Sequence, residues 1–122
     1  MKTSLNDITP YITKDGSQIR ELMHPAVHGN KKCSLAQAVV EPGGITRKHV
    51  HNTSEELYYI VQGSGIMYLE GETFPVVPGD TICILPGQRH YIENTGKEEL
   101  IIICCCAPPY SHDDTKMSPE NR

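Results

Sequence analysis

The chain has 122 residues and a formal net charge of −4. That length suits one domain with a modest core and leaves little room for a second. The acidic balance, with "NKK" at 30–32 as the longest basic cluster, excludes the basic stripe of a nucleic-acid binder. No apolar run approaches the roughly 20 residues that span a bilayer.

In chain order, "MKTSLNDITPYITKDG" lacks the continuous apolar core of a secretory signal, so a cytoplasmic location is expected. "SQIRELM" at 17–23 has the spacing of a single helical turn, the one place where helical periodicity shows. Residues 1–33 read as an N-terminal arm. From residue 34 onward, short runs rich in Val, Ile and Tyr alternate with turn signals. The runs are "SLAQAVV", "ELYYIV", "GIMYL", "TICIL" and "ELIIICCC"; "EPGG", "QGSG", "EGE", "VPGD", "LPGQ" and "NTG" punctuate them. This pattern predicts an all-β sandwich or barrel over residues 34–107. The last run, Leu100 to Cys106, is apolar throughout, which predicts burial on both faces or cover by a partner. Residues 108–122 are polar and proline-bearing and read as a loosely packed tail, with His112, Asp113 and Asp114 solvated. His24 and His28 read as loop residues.

Five cysteines are an odd number for a disulfide framework, and Cys104, Cys105 and Cys106 are adjacent. Neighbouring residues rarely meet disulfide geometry, so these read as free thiols packed in the core.

The residues with chemistry lie in "KHVHNTSEELYYIVQG", 48–63. On an extended segment Arg47, His49 and His51 share one face, and Glu56, Tyr58 and Ile60 share another. His90 opens a further strand after "PGQR". Three imidazoles and a carboxylate converging in a small barrel suit a first-row transition metal, whether Fe, Mn, Ni, Cu, Co or Zn.

From Gly43 to Gly63 the chain reads G-x5-H-x-H-x4-E-x6-G, and "GDTICILPGQRHYIEN" runs from Gly79 to Asn94. Together these resemble the two motifs of the cupin superfamily, over roughly residues 35–106. Leu85 departs from the second motif, which usually has a proline there. "DGSQIRELMHP" and "CCCAPPYSHDD" also resemble small single-domain prokaryotic cupins, loosely labelled mannose-6-phosphate isomerase-like or oxalate-decarboxylase-like. The resemblance implies a cupin-type antiparallel β-barrel, a jelly-roll-like double sheet, holding one divalent metal through His49, His51, Glu56 and His90. Glu56 is preferred over Glu55 because it keeps the spacing to Gly63 and the alternation with Tyr58.

Four protein donors would leave about two coordination positions for water, dioxygen or a small substrate. The cage would carry a net charge of about +1, which favours an anionic or enediol-type ligand. Arg47 and Tyr58 are the candidate catalytic residues, with Gln37 and Asn94 as further groups near the metal. The functions that follow are redox chemistry of dioxygenase or decarboxylase type, a redox-neutral sugar isomerisation, or non-catalytic small-molecule binding around a structural metal. The absence of a Lys or Arg cluster near the motifs weakens a sugar-phosphate substrate. The apolar last strand and the segment before residue 34 predict a homodimer.

Overall fold

A computed structural model describes residues 1–119. Eleven strands follow one short 3-10 turn, Leu5–Asp7, in chain order. They are β1 (Tyr11–Ile12), β2 (Gln18–Met23), β3 (Ser34–Val40), β4 (His49–His51), β5 (Glu55–Gln62), β6 (Gly65–Leu69), β7 (Glu72–Val76), β8 (Thr81–Ile84), β9 (His90–Asn94), β10 (Leu100–Ala107) and β11 (Thr115–Met117).

They form two antiparallel sheets. One has six strands in the order β1-β2-β3-β10-β5-β8, the other five in the order β11-β4-β9-β6-β7. The expected all-β double sheet is therefore what the chain forms. The β-branched and aromatic runs make strands because alternate residues pack inward, a fit that the pleat rewards. In β5 the alternation is complete, with Glu56, Tyr58 and Ile60 buried and Leu57, Tyr59 and Val61 exposed. The core between the sheets includes Ile60, Met67, Ile84, Ile92, Leu100 and Ile102, each almost wholly buried.

One turn relies on two glycines. Gly63 has φ +87°, a left-handed conformation that side chains resist, and a Cβ there would come within 2.7 Å of the Glu99 carbonyl oxygen. Two residues on, a Cβ at Gly65 would collide with the Glu93 carbonyl of neighbouring β9. Both glycines let the β5–β6 corner close tightly.

Three expectations need correction. The segment 17–23 is not helical; Gln18–Met23 is strand β2, paired antiparallel with β3. One turn of helical spacing is too short to nucleate alone, and an available β3 edge outcompetes it. The tail does not pack loosely throughout: Thr115–Met117 forms β11 and pairs with β4. Asp114 secures it, accepting hydrogen bonds from the Thr53 amide (2.9 Å) and hydroxyl (2.8 Å) and from the Ser54 amide (3.1 Å). Finally, of the two readings of β10, burial on both faces fails, which leaves cover of its outer face by a partner. Leu100, Ile102, Cys104 and Cys106 point into the core, whereas Ile101, Ile103 and Cys105 are only half-buried on the outer face.

Candidate metal centre and cavity

The site lies between the sheets. His49 and His51 come from β4 and His90 from β9 directly opposite, in register with His49. Glu56 reaches across from β5 in the other sheet. The alternation of β4 explains why both its histidines point inward while Val50 does not. All four side chains are buried, His90 to 1% exposure. Glu55, the competing carboxylate, is exposed.

Ligand-capable nitrogens of His49, His51 and His90 lie within 4.8 Å of one another. His51 Nε2 is 3.1 Å from Glu56 Oε1, and His90 Nε2 is 3.7 Å from the same oxygen.

Each imidazole is oriented through its other nitrogen. His49 Nδ1 is 2.7 Å from the Arg47 carbonyl, and His90 Nδ1 is 3.0 Å from that of Gln88. A carbonyl only accepts, so both Nδ1 atoms carry the proton. His51 Nδ1 meets Thr115 Oγ1 at 3.1 Å, and the Thr115 hydroxyl donates to the Ser111 carbonyl at 2.8 Å. That hydroxyl oxygen is left to accept, so His51 too donates from Nδ1. All three Nε2 atoms then turn lone pairs toward the centre. Burial, reinforced by neighbouring His90, lowers the His49 imidazole to about 4, so it is neutral at pH 7.

Lone pairs facing a carboxylate in a buried space repel unless a cation sits among them. Burial by itself would raise the Glu56 carboxyl; hydrogen bonding and charge from His51 and His90 would hold it well below the usual range only if those imidazoles carried protons toward it. A single shared proton would serve one nitrogen. His90 Nε2, fully buried, has no hydrogen-bond partner at all. The donor set therefore fits a metal ion better than a proton.

The second Glu56 oxygen is held by the Cys106 thiol, which donates to Oε2 at 3.4 Å. Burial and the Glu56 charge push Cys106 far above the ordinary thiol range, so it stays a donor. Tyr58, two residues along β5, is likewise raised well above its usual value by burial and by Glu56.

The cage opens into a cavity of about 540 Å³, counting its open mouth. His49, His51, Glu56, Tyr58, Cys104 and Cys106 line its floor; Tyr11, Thr13, Asp15, Glu21 and Tyr110 line its outer part. Of the further candidates, Tyr58 lines it and the other three do not. Arg47 is exposed, with its backbone amide donating to the Asp15 carbonyl at 2.8 Å. Gln37 is out of phase with the inward-facing residues of β3, Ser34, Ala36 and Ala38. Asn94 ties loops together, donating to the Val40 and Glu98 carbonyls at 2.9 and 2.8 Å.

Sequence reasoning missed Asp15, Glu21 and Thr115. "DGS" at 15–17 reads as a turn, and it is one: Asp15 Oδ1 accepts from the Ser17 amide (2.9 Å) and hydroxyl (2.6 Å). Asp15 Oδ2, however, faces His49 Nε2 across 4.0 Å. Glu21 belonged to the segment read as a helical turn; only strand alternation points it inward with Ile19.

A buried three-histidine group that could hold a metal ion, set between the sheets of a small antiparallel barrel, is the class of arrangement that the chain presents. The chain belongs to the cupin domain family, whose model matches residues 36–106. It is 54% identical over 117 residues to an uncharacterized protein of Methanocaldococcus jannaschii, covering 96% of this chain and 94% of that one. The fold is also similar to a crystal structure of a predicted oxalate decarboxylase from Thermotoga maritima, with TM-score 0.78, 27% identity, and coverage of 88% of this chain and 99% of the other. A nucleoside dehydratase of Streptomyces superposes with TM-score 0.80 at 20% identity over 100% of this chain and 93% of its own, a likeness of fold.

Proposed function

We propose that the chain is a mononuclear metal-binding cupin acting as an enzyme on a small, oxygen-rich molecule, with His49, His51, Glu56 and His90 as the ligands. The observation that carries this is the buried, unpartnered Nε2 of His90, set among lone pairs that only a cation can reconcile. A divalent ion held there would supply Lewis acidity toward a substrate oxygen, or redox chemistry if it is iron, copper or manganese. Cys106 holds the Glu56 carboxylate in place. Tyr58 keeps its proton and presents a donor on the cavity floor. The sheets around the cage exclude bulk water from its rear.

Elemental analysis of protein purified from its native host tests this. One equivalent of transition metal is expected, lost when His49, His51 or His90 is replaced by Ala. Iron or copper would favour oxygen chemistry, and zinc a redox-neutral reaction or plain binding. Wild-type protein free of metal when grown and purified without chelators would refute it.

Two further expectations belong to the same reading. The five cysteines are free thiols, as suits a reducing cytoplasm, and no helix among the described residues is long and apolar enough to cross a membrane. The outer face of the six-stranded sheet exposes Leu35, Leu57, Tyr59 and Val61 beside half-buried Ile101 and Ile103. A contiguous apolar face of this kind supports pairing of two copies.

A further inference from the structure

The acidic wall of the cavity has no part in the proposed cage. Asp15 and Glu21 both line the outer cavity, and among the described residues no Lys or Arg lines it with them. Glu21 sits on β2, where Tyr11 donates its hydroxyl to Oε2 at 3.1 Å. The other oxygen, Oε1, is buried without any hydrogen-bond partner. Asp15 spends Oδ1 on Ser17 and leaves Oδ2 turned toward His49. Carboxylate oxygens only accept, so Glu21 Oε1 calls for a donor that no protein group supplies.

Charge points the same way. Three neutral imidazoles, Glu56 and a divalent ion sum to about +1, and Asp15 with Glu21 brings the whole cavity to about −1. A dicarboxylate or phosphate ester entering it would place anionic oxygens against two carboxylates, with no Lys or Arg among the described lining residues to offset them. A simple alkylammonium ion would satisfy the wall but has no lone pair for the metal. A neutral molecule with adjacent hydroxyls meets both demands, since its oxygens carry lone pairs toward the floor and its protons reach the wall.

We infer that the cavity selects a neutral polyhydroxylated ligand, with the Asp15 and Glu21 carboxylates accepting its hydroxyl protons and repelling anionic analogues. This rests on the metal-centre reading above and narrows its substrate class. It also drops the anionic half of the sequence-based expectation of an anionic or enediol-type ligand, because the two carboxylates were not visible as cavity residues in the sequence.

The test is a matched pair of four-carbon compounds that share a central diol. Erythritol is neutral; meso-tartrate presents the same central diol between two carboxylates. Both are titrated into full-length protein loaded with one equivalent of Mn²⁺, with binding read from broadening of ligand proton signals and metal content measured before and after. Erythritol is expected to bind more tightly than meso-tartrate. Asp15→Asn and Glu21→Gln are each expected to weaken erythritol about tenfold, the loss of one hydrogen bond to a charged group. Both should strengthen meso-tartrate with metal content unchanged. Circular dichroism melts establish that the variants, close in shape to the originals, are folded. Tighter binding of meso-tartrate by the wild type, no binding of erythritol, or an affinity ratio unmoved in both variants would overturn the inference. Should the protein take up no metal, the metal-centre reading fails on its own, and the same ratios in the metal-free protein still decide what the carboxylates prefer.

Discussion

Thr115 and His51 are 64 positions apart in the chain, yet Thr115 Oγ1 lies 3.1 Å from His51 Nδ1 inside the barrel. The contact exists because β11 pairs with β4 and sets Thr115 opposite His51. A hydroxyl committed to the Ser111 carbonyl can only accept from the imidazole, so the tail determines which His51 nitrogen faces the cage.

Replacing Thr115 with Val should therefore weaken metal binding about 10- to 100-fold, as for other groups that orient a histidine ligand. Thr115→Ser, which keeps the hydroxyl, should restore most of the affinity. Competition against a chelating dye measures both, and equal affinity in the Val variant and wild type would contradict the assignment.

The carboxylate ligand is testable by a second pair. Glu56→Gln should strip the metal, because it removes the carboxylate that reaches His51 and His90. Glu55→Gln changes an exposed side chain and should leave metal content near one equivalent. The opposite result would exchange the two residues' roles.

Acid should destabilise the metal-free protein through His49. Its folded value of about 4 lies below the ordinary value of 6.5, so between these the unfolded chain binds more protons. The contribution is complete above pH 6.5 and is lost as pH falls through 4. It is on the order of 3 kcal/mol if burial is fully retained. Thermal melts of chelator-treated protein between pH 8 and pH 4 should show a falling midpoint; a midpoint flat from pH 7 to pH 5 would count against a neutral, buried His49.

Pairing through the outer sheet face predicts that wild-type protein has twice the 13.6 kDa chain mass in solution. Leu57→Glu combined with Val61→Glu places charges on exposed positions of β5 and should yield monomers that melt cooperatively. Light scattering coupled to size exclusion reads the mass. A monomeric wild type at micromolar concentration would refute the homodimer.

Local signals sufficed where function and periodicity coincide in one short segment. The histidines of β4 and Glu56 of β5 are separated by a handful of residues, and strand alternation alone puts each on an inward face. Chain-order runs of Val, Ile and Tyr between glycines likewise announce strands, since the pleat rewards that composition wherever the strand pairs. Joining His90 to this group needed the second motif, because spacing in the chain does not say which strand lies opposite His49.

Other features depended on pairing partners far away in sequence. "SQIRELM" carries no decisive local preference, and only the exposed edge of β3 makes it a strand that turns Glu21 into the cavity. Asp15 looks like any turn aspartate until the chain folds back over His49. The polar tail becomes part of the site because Asp114 meets the Thr53 and Ser54 amides and delivers Thr115 to His51. The sequence by itself thus determined the all-β class and the inward faces of His49, His51 and Glu56, through short-range alternation, while the two-motif resemblance added His90 and the barrel. Tertiary structure alone decided the acidity of the cavity and the orientation of His51, because both arise from contacts that close loops of tens of residues.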